Sequence, residues 1–102
     1  RAKLAVLSSR LGSIGGRTQT DMWVYRASKA ALNSVLKDVS LALGHRATCV
    51  SLHPGWVRTD MGGVAADIDV ADSVAGMRKV IASLNSSDTG SFRNYDGESI
   101  PW

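Results

Sequence analysis

Two short aliphatic runs stand out in the pattern of apolar and polar positions along this chain. The first, KLAVLSS at 3–9, ends in two serines, which is typical of a buried strand that opens into a loop. Residues 10–21 contain three glycines and several hydroxyl or amide side chains, which indicates a loop. The second run, ATCVSLHPG at 47–55, predicts another strand, because Pro54 and Gly55 would end it.

Apolar residues between the two runs recur at helical spacing. Several of them lie four residues apart and would form one stripe, which Leu32, Leu36 and Ala30 would widen: Ala27, Ala31, Val35, Val39 and Leu43. Thr20 or Asp21 could cap the first turn, and Gly44 suits the left-handed residue that follows many helices. We therefore expect a helix over 22–43 with this stripe as its apolar face.

The remaining pattern predicts a second helix and a third strand. Asp69 could cap a helix over 70–84, whose apolar face would carry Met77 and Val80. Residues 91–102 indicate a short strand, an Asp-Gly turn and a tail. The order strand, helix, strand, helix, strand predicts an α/β fold with parallel pairing and right-handed crossovers.

These elements form only part of a doubly wound parallel sheet. Parallel strands are normally covered on both faces, and two helices are too few to cover three strands well. The first strand would leave one sheet edge open. The chain also begins at Arg1, without Met, and enters a strand pattern directly. We therefore expect these 102 residues to be the second half of a longer domain.

Composition excludes several classes of function. No apolar run approaches the roughly 18 residues of a membrane helix, and no signal peptide is recognisable. The net charge of +3 comes without a basic run interleaved with aromatics, so we do not expect nucleic-acid binding. Cys49 is the single cysteine, which excludes an internal disulfide and favours a buried core position in a cytoplasmic protein. The His and Cys residues lack metal-ligand spacing, so we expect no metal site.

Tyr25 and Lys29 are the first candidate catalytic pair, because residues four apart share one face of a helix. An unperturbed phenol has a pKa of about 10, too high for a proton shuttle near neutral pH. A fixed cation and a helix N-terminus both favour the phenolate. Such a phenol suits carbonyl reduction, in which hydride reaches carbon and a proton must reach oxygen. The alternative is an ordinary exposed pair.

Ser9 is the third candidate, because ligands of parallel sheets bind beyond the carboxyl ends of the strands. Its hydroxyl could donate to a substrate oxygen and hold it beside the phenol. Ser8 and Ser13 remain alternatives, and the alternative role for Ser9 is that of a loop serine that caps a turn. Three more side chains would lie near the same crevice. Trp23 and Trp56 could flank the pocket or fill core or interface space, and we expect His53 to be a packed or solvent-facing imidazole.

Three pieces of sequence together resemble the second half of a short-chain dehydrogenase/reductase. They are Ser9, the YRASK run at 25–29 and the PGWVRT run at 54–59. The last nine residues, NYDGESIPW at 94–102, resemble the end of C-factor and sniffer-type carbonyl reductases in that superfamily. The resemblance implies a partial NAD(P)-binding Rossmann-type domain over 1–102, with the glycine-rich half absent.

The resemblance also implies a role for each matching residue. Tyr25 would be the acid/base, Lys29 would hold the nicotinamide ribose and tune the phenol, and Ser9 would orient the carbonyl. The implied cofactor-binding residues are Tyr25, Lys29, Pro54, Gly55, Val57 and Thr59. The cofactor would be NADP or NAD, of which we favour NADP. The substrate would be a small carbonyl or alcohol, and the long helix could join subunits in a homodimer or homotetramer.

The sequence departs from the family pattern in the loop after Ser9. The separation of Ser9 from Tyr25 is a few residues longer than usual, which we interpret as an insertion in the loop. GSIGG at 12–16 does not open a helix, so it does not read as a phosphate-binding turn. The alternative function is a non-catalytic chain that binds a nucleotide or a partner subunit through the Tyr25 helix.

Overall fold

The computed structural model describes residues 2–58 and 68–102, which form an α/β fold. Its strands are β1 (Ala2–Leu7), β2 (Ala47–His53), β3 (Val57–Arg58), β4 (Ile68–Asp69) and β5 (Ser91–Asn94). Its helices are α1 (Trp23–Leu43) and α2 (Val70–Ser83), with 3-10 turns at Arg10–Gly12, Gly44–Arg46 and Ser86–Asp88. The predicted order of strands and helices is confirmed for β1, α1, β2, α2 and β5.

A three-stranded parallel sheet with the order β1-β2-β5 organises the fold. The pairing is in register, so that Leu7 at the end of β1 lies opposite Leu52 in β2. The short strands β3 and β4 pair in parallel as a separate two-stranded sheet, which the sequence did not predict. Two-residue strands are too short to show the alternation of apolar and polar positions on which strand prediction depends.

The central strand β2 forms the core, because helices cover both of its faces. On one face, Cys49 packs with Leu36 of α1, and Cys49 is buried as expected. On the other face, Val50 and Leu52 pack with Val80 of α2. Successive side chains of a strand point to opposite sides, so this alternation gives three layers, with the sheet between α1 and α2.

The two helical crossovers have opposite hands. Both connections advance the chain in the same direction, from β1 to β2 and from β2 to β5, between parallel strands. The helices nevertheless lie on opposite faces of β2. Two such crossovers cannot share one hand, so the right-handed default does not hold for one of them. The apolar pattern of a helix does not encode which face of the sheet it will cover.

The buried face of α1 agrees with the predicted apolar face only in part, because Leu36 is buried and Val39 and Leu43 pack against the core. The buried residues of the helix are Arg26, Asn33, Leu36 and Ser40. Asn33 tolerates burial because its Oδ1 accepts a hydrogen bond from the Ser51 hydroxyl at 2.7 Å. Val35 of the predicted stripe is exposed instead. The buried face of α1 therefore combines Leu36 with polar side chains, and an apolar side chain of the predicted stripe is left in solvent at Val35.

The first turn of α1 also departs from the prediction. Met22, rather than Thr20 or Asp21, is the N-cap residue, and it adopts a left-handed conformation with φ of 54°. The Asp21 carboxylate pairs with the Arg26 guanidinium at 2.8 Å. Gly44 follows the helix with a positive φ of 56°, as expected. The sequence thus located the ends of the helix but not the contacts that form its first turn.

Strand β1 forms an open edge of the sheet. Most of its residues are exposed, whereas β2 is buried almost throughout. The Lys3 ammonium of β1 donates hydrogen bonds to the carbonyls of Ile81 and Ala82 in the last turn of α2. These bonds satisfy helix-end carbonyls and place a positive charge at the negative end of the helix dipole. Among the described residues, no helix has the length and apolarity needed to cross a membrane.

Candidate functional site

The site lies at the edge where β1 and β2 finish. The Ser8 N–H donates to the Leu52 carbonyl at 2.8 Å, which extends the strand pairing by one residue. The Arg10 N–H then donates to Nδ1 of His53 at 2.9 Å. The two strand ends are therefore held together at the carboxyl-end edge, where parallel α/β sheets bind their ligands.

The turn that follows Ser9 packs directly on α1. A Cβ atom at Gly12 would lie 2.9 Å from both the carbonyl carbon and the Cβ of Lys29, closer than real contacts allow. Glycine is therefore required for this approach. The packing brings the turn after Ser9 against the part of α1 that carries Lys29. The three glycines of the loop were visible in the sequence, but their individual roles were not.

Tyr25 and Lys29 lie together in the first two turns of α1. The Lys29 Nζ is 5.7 Å from the centroid of the Tyr25 ring, within the range of a cation–π contact. Tyr25 is 41% exposed and Lys29 is half-buried. The phenol is therefore accessible to a ligand, and an ammonium group lies beside it. The Tyr25 ring does not fill the hydrophobic core.

Arg26 fixes the backbone that leads into this helix. Its Nε donates to the Asp21 carbonyl and its Nη2 to the Asp21 carboxylate, both at 2.8 Å. The Arg26 guanidinium holds the pKa of the Asp21 carboxyl below its usual value. Trp23 Nε1 also donates to the Thr20 carbonyl. These contacts connect the preceding loop to the first turn of α1, which carries Tyr25.

The three candidate serines have different hydrogen-bond environments. Ser9 Oγ accepts the Leu11 N–H at 3.1 Å, so Ser9 does cap a turn. A hydroxyl that accepts one bond can still donate its hydrogen. Ser13 Oγ donates to the Pro101 carbonyl and accepts the Gly16 N–H, so Ser13 is fully engaged. Ser8 Oγ is buried, with no hydrogen-bond partner among the residues that the structure describes.

The predicted cofactor-binding residues after β2 begin at the same edge. The Pro54 carbonyl accepts a hydrogen bond from the Ser73 hydroxyl of α2 at 2.6 Å. Gly55 has a positive φ of 85°, and a Cβ there would lie 2.9 Å from the Tyr95 ring. Val57 forms part of β3, and Thr59 lies outside the described residues. Contact between these residues and a cofactor stays a prediction.

The structure also shows the surroundings of Trp23, Trp56 and His53, which were expected to lie beside the crevice. Trp23 and Trp56 are both more than half exposed, so neither indole fills the core. Burial, reinforced by the Arg10 guanidinium, lowers the pKa of His53 from 6.5 to about 4. The imidazole is therefore neutral near pH 7, as acceptance of a hydrogen bond by Nδ1 requires. The sequence placed His53 at the strand end, but its bond to a distant backbone N–H left no signal in the pattern.

Comparisons with known proteins agree with this geometry. No model of a protein family matches the chain. The C-signal protein of Myxococcus xanthus is 44% identical over 101 residues, which are 98% of this chain and 61% of that protein. The solved carbonyl reductase Sniffer of D. melanogaster is 48% identical with a TM-score of 0.93, covering 100% of this chain and 42% of Sniffer.

A second solved structure is also similar over the whole chain. The NADPH-bound carbonyl reductase from chicken fatty liver is 40% identical with a TM-score of 0.86, covering 100% of this chain and 43% of that protein. The chain thus spans about half the length of the relatives that it matches. The similarity to C-factor and sniffer-type proteins expected from residues 94–102 is confirmed. Over its whole length the chain is similar to one part of the oxidoreductases of the short-chain dehydrogenase/reductase family.

Proposed function

We propose that this chain forms the carbonyl-binding and proton-transferring part of an NAD(P)-dependent carbonyl reductase. The observation that carries the proposal is the accessible Tyr25 phenol with the Lys29 ammonium 5.7 Å from its ring centroid. This pair lies on the part of α1 against which the turn after Ser9 packs. The relatives named carbonyl reductases support the choice of a carbonyl or alcohol as substrate.

Each of the three residues has a chemical role in this proposal. The Tyr25 hydroxyl gives its proton to the substrate oxygen during reduction and takes one back during oxidation. The Lys29 ammonium stabilises negative charge that develops on the phenol oxygen. The Ser9 hydroxyl, whose hydrogen has no acceptor among the described residues, donates to the substrate oxygen and holds it in place. Ser13 is a poorer candidate, because both of its hydrogen-bonding functions are used.

The residues present fit the nicotinamide end of NADP or NAD, which when bound supplies or accepts the hydride. In this proposal, Lys29 donates to ribose hydroxyls, and the cofactor-lining segment contains Pro54, Gly55, Val57 and Thr59. Two features of this edge support the fit: the Tyr25 phenol is accessible, and the Lys29 ammonium lies beside its ring. NADP is favoured over NAD because the chicken relative carries NADPH.

The phosphate groups of such a cofactor would need residues from another part of the protein. Gly15 and Gly16 pack near Pro101 and Ser13, and within 2–58 and 68–102 neither begins a helix. We propose that a glycine-rich half supplies the phosphate-binding turn and covers β1. The exposed β1 and the greater length of the relatives support this arrangement.

The proposal extends to assembly and location. Val24 and Val35 are exposed apolar residues on α1, and they suit a helix-to-helix contact in a homodimer or homotetramer. The free, buried Cys49 is consistent with a reducing compartment, so we propose the cytoplasm. Neither nucleic acid nor a membrane is a partner in this proposal.

The first test is Tyr25→Phe in the full-length protein, assayed with NADPH and a panel of aldehydes, ketones and quinones. We expect kcat to fall by at least about 100-fold, because general-acid catalysis contributes about 10²–10⁴ in rate. NADPH affinity, measured by cofactor fluorescence, should change little, because the ring and Lys29 remain. Unchanged turnover in this variant would contradict the mechanism.

Tyr95→Phe is the matched control, because it removes the second phenolic oxygen of these 102 residues and keeps the ring that packs against Gly55. We expect this variant to retain wild-type turnover. If the wild-type protein binds NADPH but reduces none of the carbonyl compounds, the non-catalytic nucleotide-binding alternative is favoured instead.

A further inference from the structure

We propose that His53 is a positioning residue for the serine-bearing turn, holding Ser9 in place by fixing the neighbouring Arg10 N–H through Nδ1. The inference rests on the function proposed above, since it assigns His53 a role in placing the Ser9 hydroxyl. His53 itself is not assigned contact with the substrate. The proposal depends on three features: the rigidity of β2, the internal bonds of the turn, and the neutrality of the imidazole.

The first feature is the rigid base that carries the imidazole. His53 is the last residue of β2, the central strand of the sheet, which is buried up to Leu52. It is also in register with Asn94 of β5. A side chain at this position moves little relative to the sheet, because its strand is bonded on both sides.

The second feature is the distribution of hydrogen bonds within the turn. The Leu11 N–H is bound by Ser9 Oγ at 3.1 Å, and the Gly12 N–H by the Ser9 carbonyl at 2.9 Å. Both of these acceptors belong to the turn itself. The Arg10 N–H, by contrast, is bound at 2.9 Å by His53, which belongs to the sheet. Of these three bonds, the one to His53 fixes the turn relative to β2.

The third feature is the protonation state of His53. Burial and the Arg10 guanidinium lower the pKa of His53 to about 4, so the ring is neutral near pH 7. A neutral ring with Nδ1 as acceptor carries its hydrogen on Nε2. The bond to the Arg10 N–H therefore persists across the neutral range.

Loss of this anchor should misplace the Ser9 hydroxyl. The turn would remain in contact with α1 through Gly12, and the Ser8 N–H would remain bonded to the Leu52 carbonyl, but Arg10 would no longer be fixed to β2. Misplacement of a reacting group by about 1 Å can cost about 100-fold in rate. Because a freed loop spends part of its time in place, we expect a smaller loss, of about tenfold in kcat.

Three substitutions in the full-length protein separate positioning from packing. His53→Asn keeps an acceptor oxygen one bond from Cγ, where Nδ1 lies. His53→Gln moves the acceptor one bond farther out, and His53→Phe fills the volume without any acceptor. We expect kcat with NADPH to fall about tenfold in the Gln and Phe variants and to stay within about twofold of wild type in the Asn variant. The KM for NADPH should not change.

A second measurement does not depend on catalysis. Hydrogen exchange of the Arg10 amide, followed by NMR, should be slow in the wild type and in His53→Asn, and at least about tenfold faster in His53→Gln and His53→Phe. Either of two results would overturn the proposal: equal Arg10 protection in all four proteins, or a loss of kcat in His53→Asn as large as in His53→Phe.

This pair of measurements also distinguishes the inference from the function on which it rests. If the wild type reduces no carbonyl compound, the proposed function fails, and with it the catalytic purpose of the anchor. The Arg10 exchange rates then still decide whether His53 holds the turn. If His53→Phe does not fold, His53→Gln provides the same comparison with a smaller change in shape.

Discussion

Strands β1 and β2 are neighbours in the sheet and have similar aliphatic sequences, yet their environments differ completely. Leu7 of β1 is 58% exposed, whereas Leu52, which lies directly opposite in the parallel register, is 0% exposed. Helices α1 and α2 cover both faces of β2. The burial of a strand is therefore set by its place in the sheet, and an aliphatic run alone does not determine it.

The largest expected effect is a difference in stability between these two leucines. Leu52→Ala should lower the free energy of unfolding by about 2–5 kcal/mol, because it leaves a cavity in the cluster with Val50, Val80 and Leu84. Leu7→Ala should cost less than about 1 kcal/mol, because the side chain is already largely in water. Urea unfolding of the two variants measures both values.

The leucine comparison is matched in residue type, substitution and register. Equal losses of stability at the two positions would contradict the view that β1 is an uncovered edge in this chain. Repeating Leu7→Ala in a longer protein that contains the proposed glycine-rich half would sharpen the comparison, because a covered Leu7 should then approach the cost of Leu52.

A smaller effect concerns the end of β2, where His53 should make the free energy of unfolding depend on pH. The pKa of His53 is lowered from 6.5 to about 4, so the unfolded chain binds more protons than the folded chain between these values. The free energy of unfolding should therefore fall as the pH drops from 6.5 towards 4. Urea midpoints at pH 7 and pH 5 measure this dependence, and His53→Asn should reduce it.

Two aspartates act in a lower pH window and do not obscure this result. The Arg26 guanidinium lowers the pKa of Asp21, and the Glu98 N–H lowers that of Asp96. Their stabilising contribution is present above the ordinary pKa of 3.8 and is lost as the pH falls below it. If the urea midpoint changes equally between pH 7 and pH 5 in the wild type and in His53→Asn, then His53 does not cause the pH dependence.

The smallest effect concerns the contribution of the Lys3 side chain of β1 to the free energy of unfolding. Lys3→Met removes the ammonium that binds the Ile81 and Ala82 carbonyls but keeps the apolar part of the side chain. We expect a loss of about 0.5–1 kcal/mol in unfolding free energy at low salt. Lys3→Arg should retain most of the stability. A loss that does not diminish at high salt would exclude the electrostatic part of this explanation.

The sequence predicted most of the fold, because its elements depend on local patterns. Helix α1 was expected over 22–43 and extends over Trp23–Leu43. Its buried face was predicted only in part: Leu36 is buried as expected, but Arg26 and Asn33 are buried as well. Their hydrogen-bond partners, Asp21 and Ser51, cannot be inferred from apolar periodicity. The opposite hands of the crossovers were missed for a related reason, since they depend on which face of β2 each helix covers.

The part of the site that could be predicted is the part in which the spacing of residues in the sequence determines their spacing in the structure. Tyr25 and Lys29 lie together because four residues make about one helical turn. The structure also brings the turn after Ser9 to the same helix, through Gly12. The bond from Arg10 to His53 could not be predicted, because it joins residues 43 positions apart at two strand ends. Long-range contacts of this kind depend on the register of the sheet.

The close approach of Gly12 to Lys29 has a consequence for how the protein tolerates sequence change. Position 12 has no functional group to lose, yet even a single added methyl would collide with the helix backbone. In a selection for activity, substitutions at this position should therefore be tolerated as poorly as substitutions of the reactive residues. A search for important residues confined to acids, bases and nucleophiles would overlook it, because what it contributes is empty space.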